Sequence, residues 1–172
     1  MIEAGKFEKV SWRQYLNDFK NMFPYSEESI RYIYDNIMLP CRATKGSMGY
    51  DFFSPFHIGL NPNESITIPT GIRYIPKVEG YGVLIYPRSG LGFKYRLQLD
   101  NTIGVIDEDY YNSDNEGHIF IRVTNDSRNN KFLSIKTGEG FAQGILTPYG
   151  VVEGDNVTNI RNGGFGSTTK EV

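Results

Sequence analysis

What most limits the fold of this chain is the punctuation of its apolar runs. From about Leu39 onward, each is interrupted by glycine, proline or a polar cluster before a helix of ordinary length could form. Ser65-Ile66-Thr67-Ile68 alternates polar and apolar residues, a short run lies between Gly71 and Pro76, and Gly82-Val83-Leu84-Ile85-Tyr86 stops at Pro87. Leu97-Gln98-Leu99-Asp100 alternates again, and the series closes on Gly144-Ile145-Leu146-Thr147-Pro148. The runs at 118–124 and 132–135 are expected to pair across the polar turn at 125–130. The 19 glycines and 8 prolines are dispersed rather than gathered in one tract, so they supply turns between many strands. This spacing predicts an all-β, jelly-roll-like sandwich or barrel, not a βαβ sheet.

Residues 1–38 differ in texture. Ser11 stands three residues before Gln14, which is the spacing of a capping box, and Trp12, Tyr15, Leu16 and Phe19 share one helical face. Ser26 precedes Glu27 and Glu28, acids suited to the first turn of a second helix with Ile30, Ile33, Tyr34 and Ile37 on its apolar side. The expected organisation is a helical extension at 1–38, a β domain at 39–160 and a flexible arm at 161–172. The helical pair is expected to lie across the β domain or a neighbouring subunit.

Composition removes several classes of function. Eighteen Lys and Arg against 20 Asp and Glu leave the chain nearly neutral, which is unsuited to a nucleic-acid polymer but permits a small anionic ligand with local donors. The single cysteine, Cys41, excludes an internal disulfide and a thiolate cluster, and His57 and His118 lie at no metal-ligand spacing. No apolar run approaches the roughly 18 residues that span a bilayer. The first residues carry both charges without an apolar signal core, so a cytoplasmic protein with no membrane association is expected.

Chemistry concentrates between the strands. In Asn101–Tyr111 an apolar run ends against Asp107, Glu108 and Asp109, followed by Tyr110 and Tyr111. A carboxylate backed by Val105 and Ile106 is partly shielded from water and suits a general base, although a turn-capping aspartate is the plain alternative. Four further segments share this character: Ser47-Met48-Gly49-Tyr50-Asp51, Pro87-Arg88-Ser89-Gly90-Leu91-Gly92, Gly138-Glu139-Gly140-Phe141-Ala142-Gln143, and Arg161-Asn162-Gly163-Gly164-Phe165-Gly166-Ser167-Thr168.

In this order and spacing the five segments resemble the motifs of the trimeric dUTPase family, the deoxyuridine triphosphate nucleotidohydrolases, over about residues 38–170. The resemblance implies a jelly-roll fold and a homotrimer whose three active sites each draw on three subunits. It also implies Mg²⁺-dependent hydrolysis of dUTP to dUMP and pyrophosphate. Asp107 matches the aspartate that activates the attacking water. Asn101 and the backbone of Gly104, Val105 and Ile106 match the uracil slot, and Tyr110 the ring beneath the sugar. Arg88, Ser89, Gly90 and Gln143 match phosphate contacts, and Asp51 an acid holding metal-bound water in the outer sphere. Arg161 matches the partner of the γ-phosphate, and Phe165, Gly166 and Ser167 the arm that closes over the nucleotide.

The chain departs from the family pattern at Met48, at Phe52 and Phe53, and at Gly140, where an arginine is frequent. The hairpin is lengthened by Asn112–Glu116, and the fifth motif is one residue shorter than in many relatives. Two other readings stay open: a dCTP deaminase-type enzyme of the same fold, although no equivalent Thr-Leu-Glu segment follows the hairpin, and a dUTPase-like protein with a regulatory, protein-binding role.

Overall fold

A computed structural model gives the structure of residues 2–159 and 161. Its strands form antiparallel sheets. The largest runs β2 (Tyr50–Phe53), β11 (Gly140–Pro148), β6 (Tyr81–Pro87), β8 (Gly104–Ile106) in spatial order. A second places β9 (Phe120–Asn125) between β4 (Ser65–Pro69) and β7 (Leu97–Leu99). Two strand pairs complete the set, β3 (Ile58–Leu60) with β10 (Leu133–Ile135) and β1 (Gly5–Lys9) with β5 (Ile72–Pro76). Period-two alternation sends Val83 and Ile85 of β6 inward, where they meet Ile68, Leu97, Leu99, Ile121 and Val123 from the other sheet in one core. The architecture is the jelly-roll-like β-sandwich that the punctuation predicts.

One pairing differs from expectation. The runs at 118–124 and 132–135 do not form a hairpin; β9 pairs with β4 and β7, while β10 crosses to β3. Asn125 is the reason. It is buried at the end of β9, and its Nδ2 donates to Leu60 O and Lys131 O, both at 2.9 Å. Its backbone N–H reaches Glu64 O and its carbonyl accepts from Asn63 N–H. Residue 125 therefore fastens the end of β9 to the β3–β4 loop and redirects the chain between sheets.

The N-terminal segment is helical in its middle but begins as strand β1, which the sequence reading left without an element. Helix α1 (Trp12–Met22) and helix α2 (Glu27–Asp35) start at Ser11 and Ser26, whose side chains accept from Gln14 N–H and Ser29 N–H. The reciprocal half of the expected capping box is replaced. Gln14 donates to Asp18 at 2.9 Å, and Glu116, a hundred residues away in the chain, accepts from Ser11 N–H at 2.7 Å and from its hydroxyl at 2.6 Å. Tyr15, Phe19 and Ile30 are fully buried and belong to the same core as the sheets. Phe19 packs edge-on against Phe56 with ring centroids 5.6 Å apart and touches the rings of Tyr15, Phe23 and Tyr25. Lys9 secures the end of α2, donating to Tyr34 O at 2.8 Å and Asp35 O at 3.1 Å.

His118 is buried, with Gly71 N–H donating to its Nε2 at 2.8 Å and Asp18 Oδ2 2.6 Å from its Nδ1. An Nε2 that accepts requires the proton on Nδ1, where Asp18 receives it. His57 is exposed beside the Ser134 hydroxyl. Among the described residues no group of three or more His, Cys, Asp or Glu is arranged to hold a metal, and no helix is long and apolar enough to cross a membrane.

Because α1 shares the sandwich core, Phe19→Ala should lower the stability of the whole domain by about 3–5 kcal/mol, the usual cost of emptying a buried phenylalanine site. Urea unfolding followed by both tryptophan fluorescence and far-ultraviolet circular dichroism checks this. A single shifted transition is expected, and separate melting of a helical unit would contradict the shared core.

Candidate active site

Strand β6 is the ruler of the site. On one side it pairs with β8, placing Gly104 opposite Ile85, Val105 opposite Leu84 and Ile106 opposite Val83. On the other it pairs with β11, placing Gln143 opposite Tyr86 and Ala142 opposite Pro87. The candidate residues gather in three places along it.

At the β8 end the chain passes from Ile106 into a short 3₁₀ turn at Glu108–Asn112, with Asp107 in the capping position. Its side chain makes no capping hydrogen bond, so the turn does not consume this carboxylate. Asp107 is about half exposed, at 49%, and pairs with Arg161 Nη2. Asp109 Oδ1 accepts from Arg161 Nε at 2.9 Å, so one guanidinium forks across both aspartates and lies over the Tyr110 ring, 5.9 Å from its centroid. Glu108 points elsewhere: it accepts from Gly80 N–H at 2.7 Å and from the Tyr149 hydroxyl at 2.8 Å, tying the turn to the β5–β6 connection and to the end of β11. That bond to Glu108 raises the Tyr149 pKa above the ordinary tyrosine value. Beside the turn lies an open cavity of about 680 Å³ whose walls include Leu84, Val105, Asp107, Asp109 and Tyr111.

The middle of the ruler carries a second cavity, of about 410 Å³, bounded by Ile85, Leu99, Asn101, Gly104, Val105, Ile106, Phe120 and Arg122. Its mouth is shaped by a tight turn in which Thr102 adopts a left-handed conformation, Thr102 N–H donates to Leu99 O and Ile103 N–H donates to Asn101 O. Asn101 and residues 104–106 thus line one concavity, mainly apolar, whose polar lining also includes Thr67, Asp100 and Arg122. Tyr110, four residues beyond Ile106, is buried, with its hydroxyl donating to His118 O at 3.1 Å. Burial raises the Tyr110 pKa, which keeps that hydroxyl a donor.

At the far end of β6, Arg88 follows Pro87 and leads into helix α3 (Ser89–Tyr95), an element the sequence reading did not anticipate. Arg88 Nε lies 3.2 Å from Asp51 Oδ1, and its Nη1 donates to Gly140 O at 3.3 Å. A Cβ at residue 140 would stand 2.7 Å from Arg88 Nη1, so glycine here makes room for Arg88 to lie flat against β11. The absent fourth-motif arginine is thus matched by space for another one. Gln143 pairs in register with Asp51 and donates to Pro87 O at 3.3 Å. Ser89 and Gly90 are exposed in the first turn of α3, where backbone N–H groups have no helical acceptor. Ser47, Gly49, Asp51, Arg88, Ser89 and Gln143 line one polar cleft of about 320 Å³.

The structure brings Asp51, Arg88, Ser89 and Gln143 together, and separately brings Asp107, Tyr110 and Arg161 together. It does not join the two sets within one chain. Asp107 follows the partner of Val83, and Arg88 lies five residues beyond Val83, so about 16–20 Å of strand separates them at roughly 3.3 Å per residue. Phe165, Gly166 and Ser167 lie outside the described residues. Sequence reasoning missed Glu108, Asp109 and Tyr149 as organisers of the turn. The run of three acids was visible, but nothing in it told which carboxylate stays uncapped.

Comparison with known proteins places this geometry. Residues 35–169 match the family model described as dUTPase. The chain is 39% identical over 135 residues to deoxyuridine 5'-triphosphate nucleotidohydrolase of Lactococcus lactis, covering 77% of this chain and 88% of that protein. It is 41% identical over 140 residues to the protein of the same name from Finegoldia magna, covering 77% and 92%. Among solved structures, the dUTPase of Streptococcus mutans superposes with a TM-score of 0.64 at 28% identity, over 87% of this chain and 99% of that one. The dUTPase of phage phi11 of S. aureus, described with a structural Mg(II) ion, gives 0.58 at 26% identity over 73% and 92%. With its motifs, its sandwich and its relatives in agreement, the chain belongs to the dUTPase family.

Proposed function

We propose that the protein hydrolyses dUTP to dUMP and pyrophosphate in sites built where copies of the chain meet as a homotrimer. The observation that carries this reading is the Asp107 carboxylate, uncapped and half exposed at the end of β8, one residue beyond Ile106 of the apolar slot. A carboxylate so placed can accept a proton from one water as that water attacks the α-phosphorus. The new P–O bond forms as the bond to the α,β-bridging oxygen breaks, and pyrophosphate leaves. Backbone amides at Gly104–Ile106 and the Asn101 carboxamide suit the polar edge of uracil. Exclusion of a 5-methyl group would fall to the same slot, by shape and not by hydrogen bonding.

The phosphates require Arg88, Ser89, Gly90 and Gln143, and within one chain these lie too far from Asp107 to serve the same nucleotide. The reading is therefore oligomeric: one copy presents the base and the uracil slot, another the polar cleft, and the family resemblance makes the assembly a homotrimer. Arg161 supplies a further phosphate contact, with Phe165, Gly166 and Ser167 covering the nucleotide. The donor set suits Mg²⁺ held mainly by the triphosphate. Asp51 is a single carboxylate in the polar cleft, fitted to bond metal-bound water and not to cage the ion. When bound, the ion neutralises triphosphate charge. Arg88 and the amides of Ser89 and Gly90 orient the phosphates, and the walls of the slot exclude bulk water from the base.

Asp107→Asn should reduce turnover by roughly 10²–10⁴-fold, the span typical of losing a general base, while affinity for a non-hydrolysable dUTP analogue stays within a few-fold. Pyrophosphate release and calorimetric titration measure the two quantities, and near-full turnover in the variant would remove Asp107 from the role. Chelation of divalent ions should likewise suppress turnover, with recovery on adding Mg²⁺. Asp51→Asn should raise the Mg²⁺ concentration giving half-maximal rate, and an unchanged Mg²⁺ dependence would exclude Asp51 from the metal's surroundings.

A further inference from the structure

The residues that follow the 3₁₀ turn do more than close the hairpin. Glu116 and Gly117 both adopt left-handed backbone conformations, and a Cβ on Gly117 would stand 2.5 Å from Tyr111 Cα. The chain therefore folds back tightly on the turn it has just left. In that fold Asn115 donates from Nδ2 to the Tyr110 hydroxyl at 2.9 Å, and its Oδ1 accepts from Gly117 N–H at 3.1 Å. The Tyr110 hydroxyl in turn donates to the carbonyl of His118.

Both supports of this phenol rest on the N-terminal helix. His118 is held through its ring by Asp18 of α1 and by Gly71 N–H, and Asp18 is steadied by Gln14 one turn earlier. Glu116, next to Asn115, grips the first residue before α1 through both the N–H and the hydroxyl of Ser11. Arg73 approaches the same carboxylate at 4.0 Å while bonding Glu8 of β1. The lengthened hairpin is thus a strap between helix α1 and the Tyr110 ring.

We propose that Asn115, His118, Asp18 and Glu116 are positioning residues for Tyr110, so that helix α1 takes part in discriminating deoxyribose from ribose. The proposal rests on the reading above that the Tyr110 ring lies beneath the sugar. Exclusion of a single 2′-hydroxyl depends on where a ring edge sits, to within a fraction of an ångström. A tyrosine anchored at its hydroxyl from two sides holds that edge, whereas a ring held by packing alone can tilt.

The test compares kcat/KM for dUTP and UTP on the full chain and on variants whose folding is verified by circular dichroism and thermal melting. Asn115→Ala and Asp18→Ala should each shrink the preference for dUTP by roughly ten-fold, the low end of what steric discrimination of one small group supplies. Asp18→Asn keeps an acceptor for the His118 Nδ1–H and should restore the preference to near the wild-type value. Adding Asn115→Ala to Tyr110→Phe should cost little further, because the two changes remove one shared bond. A preference that stays constant while the melting temperature falls would overturn the proposal and leave the strap a stability feature. Should Asn115→Ala fail to fold, Tyr110→Phe keeps the ring and loses both hydroxyl bonds, and an unaltered preference there overturns the proposal equally. A wild-type chain releasing no pyrophosphate from dUTP would instead remove the functional reading and this inference with it.

Discussion

Strand β6 sets the geometry on which everything else depends. It is hydrogen-bonded on both edges, to β8 and to β11, and its inward residues Val83 and Ile85 sit in the centre of the sandwich core. A central strand with two paired edges and buried side chains cannot bend to bring its ends together. The turn bearing Asp107 is fixed at one end and the cleft around Arg88 at the other. The sandwich therefore displays two separated sets of candidate residues, which the proposed function completes with another copy of the chain. On that proposal, the need for a second copy follows from strand rise and from where the connections lie.

The charges in the two halves are balanced internally. Arg88 faces Asp51 with the arginine 41% exposed, and Arg161 spans Asp107 and Asp109, which are each about half exposed. Each pair has one partner open to water and one more sheltered, Asp51 at 16% and Arg161 at 17%, and screening at the open partner holds the contribution to about 1 kcal/mol. A triphosphate carrying several negative charges offers both arginines a stronger, bidentate partner. The ion pairs keep the arginines extended near the site at little cost to their release. On the proposed reading, Asp107 acts as the base once Arg161 leaves it for a phosphate.

Much of this was legible in the amino-acid sequence, and the reasons are specific. Alternation and proline stops located β4, β5, β6 and β7, because burial on one face imposes period two on the residues themselves. Serine caps located α1 and α2, because unsatisfied amides must find acceptors nearby in the chain. What failed depended on partners distant in sequence. The crossing of β10 to β3 follows from Asn125 bonding Leu60, and the true cap of Ser11 is Glu116; neither carries a local signature. Strand β1 was illegible for a related reason: its pattern is mostly half-buried and polar, and pairing with β5 defines it. In the site, residue types and order indicated the chemistry, but the separation of Asp107 from Arg88 required the register of β6.

The most direct test of the central claim, that base and phosphate grip come from different copies, is subunit complementation. Chains carrying Asp107→Asn and chains carrying Arg88→Ala, each inactive alone, are unfolded together in equal amounts, refolded and assayed for pyrophosphate release from dUTP. Random assembly should return about a quarter of the wild-type rate, since that fraction of sites pairs an intact base with an intact arginine across the interface. Activity no greater than the sum of the two separate variants would show that each chain completes its own site, and would contradict the account.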